Sequence, residues 1–272
     1  MQIGVFAKTF SGNEPAGVLA AVRDAGFAVT QFNLACAGLP SMPNVVPDNA
    51  ISSIAAASAG SGVSLVALSG TYNMAHPDKA VRDDGLRRLA VIIEAAAALS
   101  IPLVTLCTGT RNADDQWAQH PDNGDASAWA DMAAEMAKAL EFAERHGVDL
   151  GIEPEQANIV TSADDAMRLI TEMSSKRLRV VLDPANLFEQ ANAQQARVIV
   201  AEAIERTAGH VAMAHAKDRF VDGRFATAGQ GVVDFADFVS RLKATGFDGP
   251  LVTHGLSAAE APGVARFLKG LL

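Results

Sequence analysis

The sequence predicts an α/β protein built as a single (β/α)8 TIM barrel over residues 1–272, on three observations. Short apolar runs alternate with helix-period segments from one end to the other. Eight of each are present, and 272 residues shared among eight units leaves 34 per unit, the span of a βα repeat. No G-x-G-x-x-G follows the first run, where an open doubly wound sheet would carry its phosphate loop.

The runs are brief and apolar, as strands buried on both faces should be. They cover 2–6, 28–34, 64–68, 102–106, 149–153, 179–183, 211–214 and 251–253. The segments between them read as helices, beginning with 14–25 and 48–60. Segment 78–99 sets Leu86, Leu89, Ile93 and Ala96 on one face. Segment 125–146 does the same with Met132, Met136, Leu140 and Ala143, and stops at Gly147. Weaker helical patterns follow over 162–173, 193–206 and 235–244. The last helix opens with Ser257 and Glu260, a capping-box pair, and turns Val264, Phe267, Leu268 and Leu271 inward.

Hydrophobic residues make up 49% of the chain, enough for a large core. The net charge of −9 repels phosphate backbones, which argues against nucleic acid as a partner. No run approaches the ~18 uncharged apolar residues of a membrane span. The opening MQIGVF has neither the basic nor the long apolar region of a signal peptide. A cytoplasmic protein with no membrane partner is therefore expected. Cys36 and Cys107 adjoin apolar segments without C-x-x-C spacing, which predicts two buried, reduced thiols. G-x-x-x-x-G-K-[ST], G-x-S-x-G and H-E-x-x-H are all absent, so nucleotide cofactors and serine-hydrolase chemistry lose their support. Barrels of this type often self-associate, so a homo-oligomer stays open.

In such a barrel, chemistry sits where strands run into their following loops. The fifth run ends on Glu153-Pro154-Glu155 and the sixth on Asp183-Pro184-Ala185-Asn186. The seventh leads into His215-Ala216-Lys217-Asp218-Arg219 and the eighth into His254-Gly255. Four successive runs thus deliver Glu153, Asp183, His215 and His254 to one rim. Two carboxylates and two imidazoles can close on one divalent cation, and the nitrogen content favours Mn, Zn, Co or Fe over Mg. Each residue has a structural alternative. Glu153 can pair with Arg179, Asp183 before Pro184 can serve a turn, and His215 can bond a backbone carbonyl.

Of the six histidines, His146 falls at a helix end and His210 precedes its strand. His76, His120, His215 and His254 reach the predicted rim. Arg111, Lys217 and Arg219 either bind a substrate anion or balance acidic groups there. Trp117 either stacks on a sugar face or caps the barrel mouth. Asn73 and Asn186 are hydroxyl partners or turn residues, and Glu155 joins these candidates for substrate binding.

The runs GIEPE, VVLDPAN and AMAHAKD, in this order and at these strand ends, resemble the xylose isomerase-like barrels, and within them the sugar phosphate isomerase/epimerase group. The resemblance extends from the first strand to the closing helix. It implies a small carbohydrate substrate and a divalent metal held by Glu, Asp, His and Glu at the ends of strands five to eight. Carried over, the first three ligands are Glu153, Asp183 and His215. The fourth departs from the pattern, because LVTHGL places His254 where the family has Glu. Family epimerases are taken to move protons with their two glutamates on opposite substrate faces. Here Glu153 is the candidate base, and His254 either completes the metal sphere or returns the proton. The same enediolate can eliminate a β leaving group, so a lyase or dehydratase stays open, as does a sugar-binding barrel without catalysis. An endonuclease of this fold would call for more metal-binding histidines and a basic groove.

Overall fold

The eight apolar runs become the eight strands of a closed parallel barrel in the computed structural model, which describes residues 1–272. The first seven are β1 (Gln2–Phe6), β2 (Val29–Phe32), β3 (Ser64–Ser69), β4 (Leu103–Leu106), β5 (Asp149–Ile152), β6 (Leu178–Leu182) and β7 (Val211–Ala216). A short hairpin, β8 (Asp218–Arg219) and β9 (Phe225–Ala226), stands outside the barrel and has no counterpart in the sequence pattern. The eighth barrel strand is β10 (Pro250–Thr253), which pairs with both β7 and β1 and closes the ring. No helix is long and apolar enough to cross a membrane.

Several run ends differ from expectation, each for a local reason. The run expected over 28–34 stops at Phe32, because the Asn33 side chain accepts from Ala35 N at 3.0 Å and turns the chain into a 3-10 helix. Strand β6 stops at Leu182, and Asp183 accepts from Ala185 N to cap the turn Pro184–Asn186. Glu153 likewise lies just beyond β5.

The helices are α1 (Pro15–Asp24), α2 (Asp48–Ser61), α3 (Lys79–Ala98), α4 (Ala126–His146), α5 (Ala163–Met173), α6 (Ala193–Arg206), α7 (Phe235–Ala244) and α8 (Ala261–Lys269). The apolar faces of α3 and α4 pack inward, with Leu86 half-buried, and Gly147 ends α4 at φ 71°. The expected capping box at the last helix does not form. Ser257 N and Oγ both donate to Glu260 Oε2, at 2.9 and 2.6 Å, closing a turn ahead of the helix. Pro262, which lacks an N–H, is tolerated only in a first turn and sets the start of α8 at Ala261. Phe267, expected inward, is 37% exposed and packs edge-on against Phe235 at 5.8 Å.

One apolar core lies between strands and helices, and a second lies inside the barrel. The inner one consists of Ala67, Leu103, Val181, Met213 and Val252. Gly151 belongs to the same layer, where a Cβ would lie 2.7 Å from Val181 Cγ2. Side chains alternate faces along a strand, so the residue two positions on points inward one layer higher. Those residues are Ser69, Thr105, Asp183, His215 and His254, with Glu153 above Gly151. An apolar plug at mid-barrel therefore carries a polar layer on its carboxyl-terminal side.

The β8–β9 hairpin is tied to the barrel through Asp218. This fully buried carboxylate accepts from the backbone N–H groups of Arg219, Gly229, Gly231 and Val233 at 2.8–3.1 Å. Substituting Asp218→Ala orphans these donors, each costing about 1–3 kcal/mol where water cannot reach. The variant should lose about 3 kcal/mol or more in urea unfolding, and limited proteolysis should cut first between residues 220 and 232. Unchanged stability and digestion would show that the loop is held by other contacts.

Candidate metal centre and active site

Each of the last four barrel strands delivers one ligand-bearing side chain to the same point. The ligand atoms of Glu153, Asp183, His215 and His254 all lie within 4.8 Å of one another. Asp183 and His215 are buried, while Glu153 and His254 keep partial access to solvent. His254 Nε2 is 2.9 Å from Asp183 Oδ2, and His215 Nδ1 is 3.1 Å from Glu153 Oε1 and 4.0 Å from Asp183 Oδ2. The two imidazole rings lie 4.4 Å apart.

No lysine or arginine makes an ion pair with Glu153 or Asp183, whose titratable basic neighbours within 4.0 Å are the two imidazoles. Arg179 sits at the far end of the barrel, donating to the carbonyls of Gly209 and His210, and does not reach Glu153. Burial pushes the Asp183 carboxyl up, but the His254 hydrogen bond and the surrounding positive charge outweigh it and hold the group at about 2. Burial lowers the His215 imidazole, yet the Glu153 charge and hydrogen bond raise it above its ordinary value. His254 is lowered, first by burial and then by the His215 charge. Two oxygen and two nitrogen donors facing one buried point form a donor set suited to a divalent ion, so the four residues can hold a metal.

Above the cluster opens a cavity of about 590 Å3. Trp117, Glu155, Asn186 and Lys217 line it with three of the four ligands, Glu153, His215 and His254. Asn186 Nδ2 donates to Glu153 Oε1 at 2.9 Å, and Asn186 Oδ1 accepts from Lys217 Nζ at 3.3 Å. The Lys217 ammonium rests 3.4 Å from the centre of the Phe225 ring, carried in by the β8–β9 hairpin. Burial, reinforced by the Glu153 charge, pushes Glu155 up to about 7.

The family model of the xylose isomerase-like TIM barrel matches residues 19–270. The chain belongs to this family. Among solved structures it is similar to an L-ribulose 3-epimerase, at 23% identity and TM-score 0.77, covering 99% of this chain and 93% of that one. It is also similar to a D-tagatose 3-epimerase-like protein, at 16% identity and TM-score 0.79, covering 100% and 97%. A third is the 3-keto-D-glucoside 4-epimerase of E. coli, at 18% and 0.75, covering 100% and 98%. No curated protein sequence matches the chain.

Other residues singled out from the sequence lie away from this family cavity. Asn73 accepts from Ala75 N and Thr110 N and braces the loop after β4, where Gly109 has φ 78°. His76 bonds Asp78 N and Ala113 O. His120 caps a 3-10 turn and borders a separate hollow beside α4 and α5. Arg219 donates to the carbonyls of Ala185, Glu189 and Gly223, which fastens the hairpin. Cys36 and Cys107 are unpaired and buried; Cys107, unlike the others, borders the cavity, and burial pushes its thiol up to about 12. Conversely, Gln31, Ser69, Thr105, Lys8 and Phe225 line the cavity without having stood out. The strand pleat is the signal that finds Ser69 and Thr105, each two residues beyond an inward apolar side chain.

Arg111 bonds Asp131 at 2.8 Å and Ala75 O at 3.1 Å, outside the cavity lining. Arg111→Ala should therefore lower stability by about 1–3 kcal/mol through the lost charged hydrogen bonds. Metal affinity, read by competition with a chromophoric chelator, should stay within about twofold. A large loss of metal binding with unchanged stability would contradict this placement.

Proposed function

We propose that this protein is a metal-dependent isomerase or epimerase of small keto-sugars, acting through an enediolate of the substrate. The convergence of Glu153, Asp183, His215 and His254 at the floor of a rim cavity carries this reading. The sugar epimerases that share the fold support the substrate class. One Mn, Co, Zn or Fe ion held by these four residues would polarise a substrate carbonyl and its neighbouring hydroxyl, which acidifies the adjacent C–H.

Glu153 is the base. Its Oε1 is held by Asn186, while Oε2 takes no hydrogen bond from the protein and is free to accept a proton from carbon. Returning that proton to the neighbouring carbon on the same face gives an isomer. Delivering a different proton to the original carbon from the opposite face gives an epimer, and requires a second, protonated group while Glu153 keeps the first proton. His254 stands three strands round the barrel from Glu153 and replaces the carboxylate that the family pattern places there. Trp117 offers an apolar face at the mouth, and Lys217 and Glu155 offer polar partners to substrate hydroxyls.

The purified protein should hold about one divalent ion per chain by elemental mass spectrometry, and Glu153→Ala should lose it. With ketoses in D2O, the loaded enzyme should wash deuterium into the carbon next to the carbonyl and form an isomer or epimer. Glu153→Gln should slow this by at least about 100-fold. Chelation should stop turnover, and adding back the ion should restore it. A dehydrated product would make the protein a lyase. No metal and no exchange with any added ion would sink the enzymatic reading.

A further inference from the structure

The inner polar layer holds one side chain that touches a candidate ligand from behind. Gln31, on β2, lies three strands from β7 round the ring, yet its Oε1 is 2.9 Å from His215 Nε2. Its Nε2 is 3.1 Å from both Ser69 Oγ on β3 and Thr105 Oγ1 on β4. All four side chains are buried, with Gln31 7% and His215 3% exposed. We propose that Gln31 is the positioning residue that fixes the tautomer of His215, so that Nδ1 is the nitrogen offered to a divalent cation. The inference rests on the reading of the cluster as a metal centre.

A neutral imidazole carries one N–H, and the partner of one nitrogen decides the role of the other. With an acceptor oxygen at Nε2, the proton belongs there. Without metal, Nδ1 also holds a proton and donates it to Glu153 Oε1; a divalent cation between Glu153 and Asp183 would displace that proton and take the Nδ1 lone pair, while Gln31 keeps the proton on Nε2. Without that acceptor the proton can move to Nδ1, where it donates to Glu153 and blocks the nitrogen from metal. The amide donates to the two hydroxyls and turns its oxygen to the ring, so no polar atom of this wall is left unpaired. Glutamine does this without adding a third buried negative charge beside Glu153 and Asp183.

The test uses zinc as the probe, because it is diamagnetic and fits the donor set. Zinc affinity of the wild-type protein, Gln31→Met and Gln31→Glu is measured by competition with a chromophoric chelator, and melting temperatures are recorded alongside. Histidine 15N spectra of the zinc-loaded wild type, assigned by the signal lost in His215→Asn, report which nitrogen of His215 carries the proton. The expected result is a proton on Nε2 and zinc at Nδ1. Gln31→Met, which keeps the bulk and loses the acceptor, should bind zinc about 10–100-fold more weakly. Gln31→Glu, which restores an acceptor, should recover most of that loss.

Zinc bound equally well by wild type and Gln31→Met would overturn the inference while leaving the metal centre intact. A proton on Nδ1 in the zinc form would also overturn it. Should Gln31→Met fail to fold, the wild-type spectrum and the affinity of Gln31→Glu still decide. A wild type that binds neither zinc nor manganese, cobalt or iron would remove the metal reading and this inference together.

Discussion

Closure of the parallel ladder between β10 and β1 is the constraint on which the rest of the molecule depends. Gln2, Ile3, Gly4 and Val5 pair with Pro250, Leu251, Val252 and Thr253, so the two ends of the chain complete one hydrogen-bonded ring. Once the ring is shut, the pleat admits only one arrangement of its interior. Every inward apolar residue at mid-barrel is followed, two positions on, by an inward residue at the rim. A one-residue slip in any strand would turn its rim residue out among the helices and bring an outward apolar residue into the site. Geometry of the site and stability of the barrel are therefore set by the same register.

Above the apolar plug, the interior carries charges that the helical shell cannot balance. Asp183 is fully buried, Glu153 is mostly so, and neither has a permanently charged partner within ion-pair distance. Three of the basic side chains at this rim are committed elsewhere. Lys217 rests on Phe225 and Asn186, Arg219 fastens the hairpin, and Arg111 pairs with Asp131. Such an arrangement is costly in a low-dielectric interior unless a proton or a metal ion occupies it. The identity of the fourth candidate ligand, His254, bears on this balance. Two carboxylates and two neutral imidazoles match a divalent ion, where a third carboxylate would leave one negative charge over.

Much of the fold was legible in the sequence because a barrel repeats one simple pattern eight times. Apolar runs, helix periodicity, and stops such as Gly147 are local signals, and they located every barrel strand and helix to within a few residues. The misses had local causes that outrank periodicity. Asn33 turned the second run aside, Pro262 delayed the last helix past its apparent capping box, and Phe267 lay across Phe235 instead of beneath it. The hairpin was invisible because its two strands are two residues each and are held by two buried side chains, Asp218 and Arg219, whose partners lie elsewhere in the chain.

The same division runs through the site. Composition, period and the ends of the apolar runs determined the barrel, the rim and the four side chains Glu153, Asp183, His215 and His254, because a residue at the end of a barrel strand must face the rim. Which loop residues reach the cavity was decided only by the tertiary structure. Asn73, His76, His120 and Arg111 sit in rim loops, yet backbone groups and Asp131 already take up their hydrogen bonds. Gln31 drew no notice as a polar residue inside an apolar run, and only barrel closure brings it against His215 from three strands away. Sequence position sets which face of a strand a residue occupies, but the partner it meets across the barrel is set by closure and packing of the whole ring.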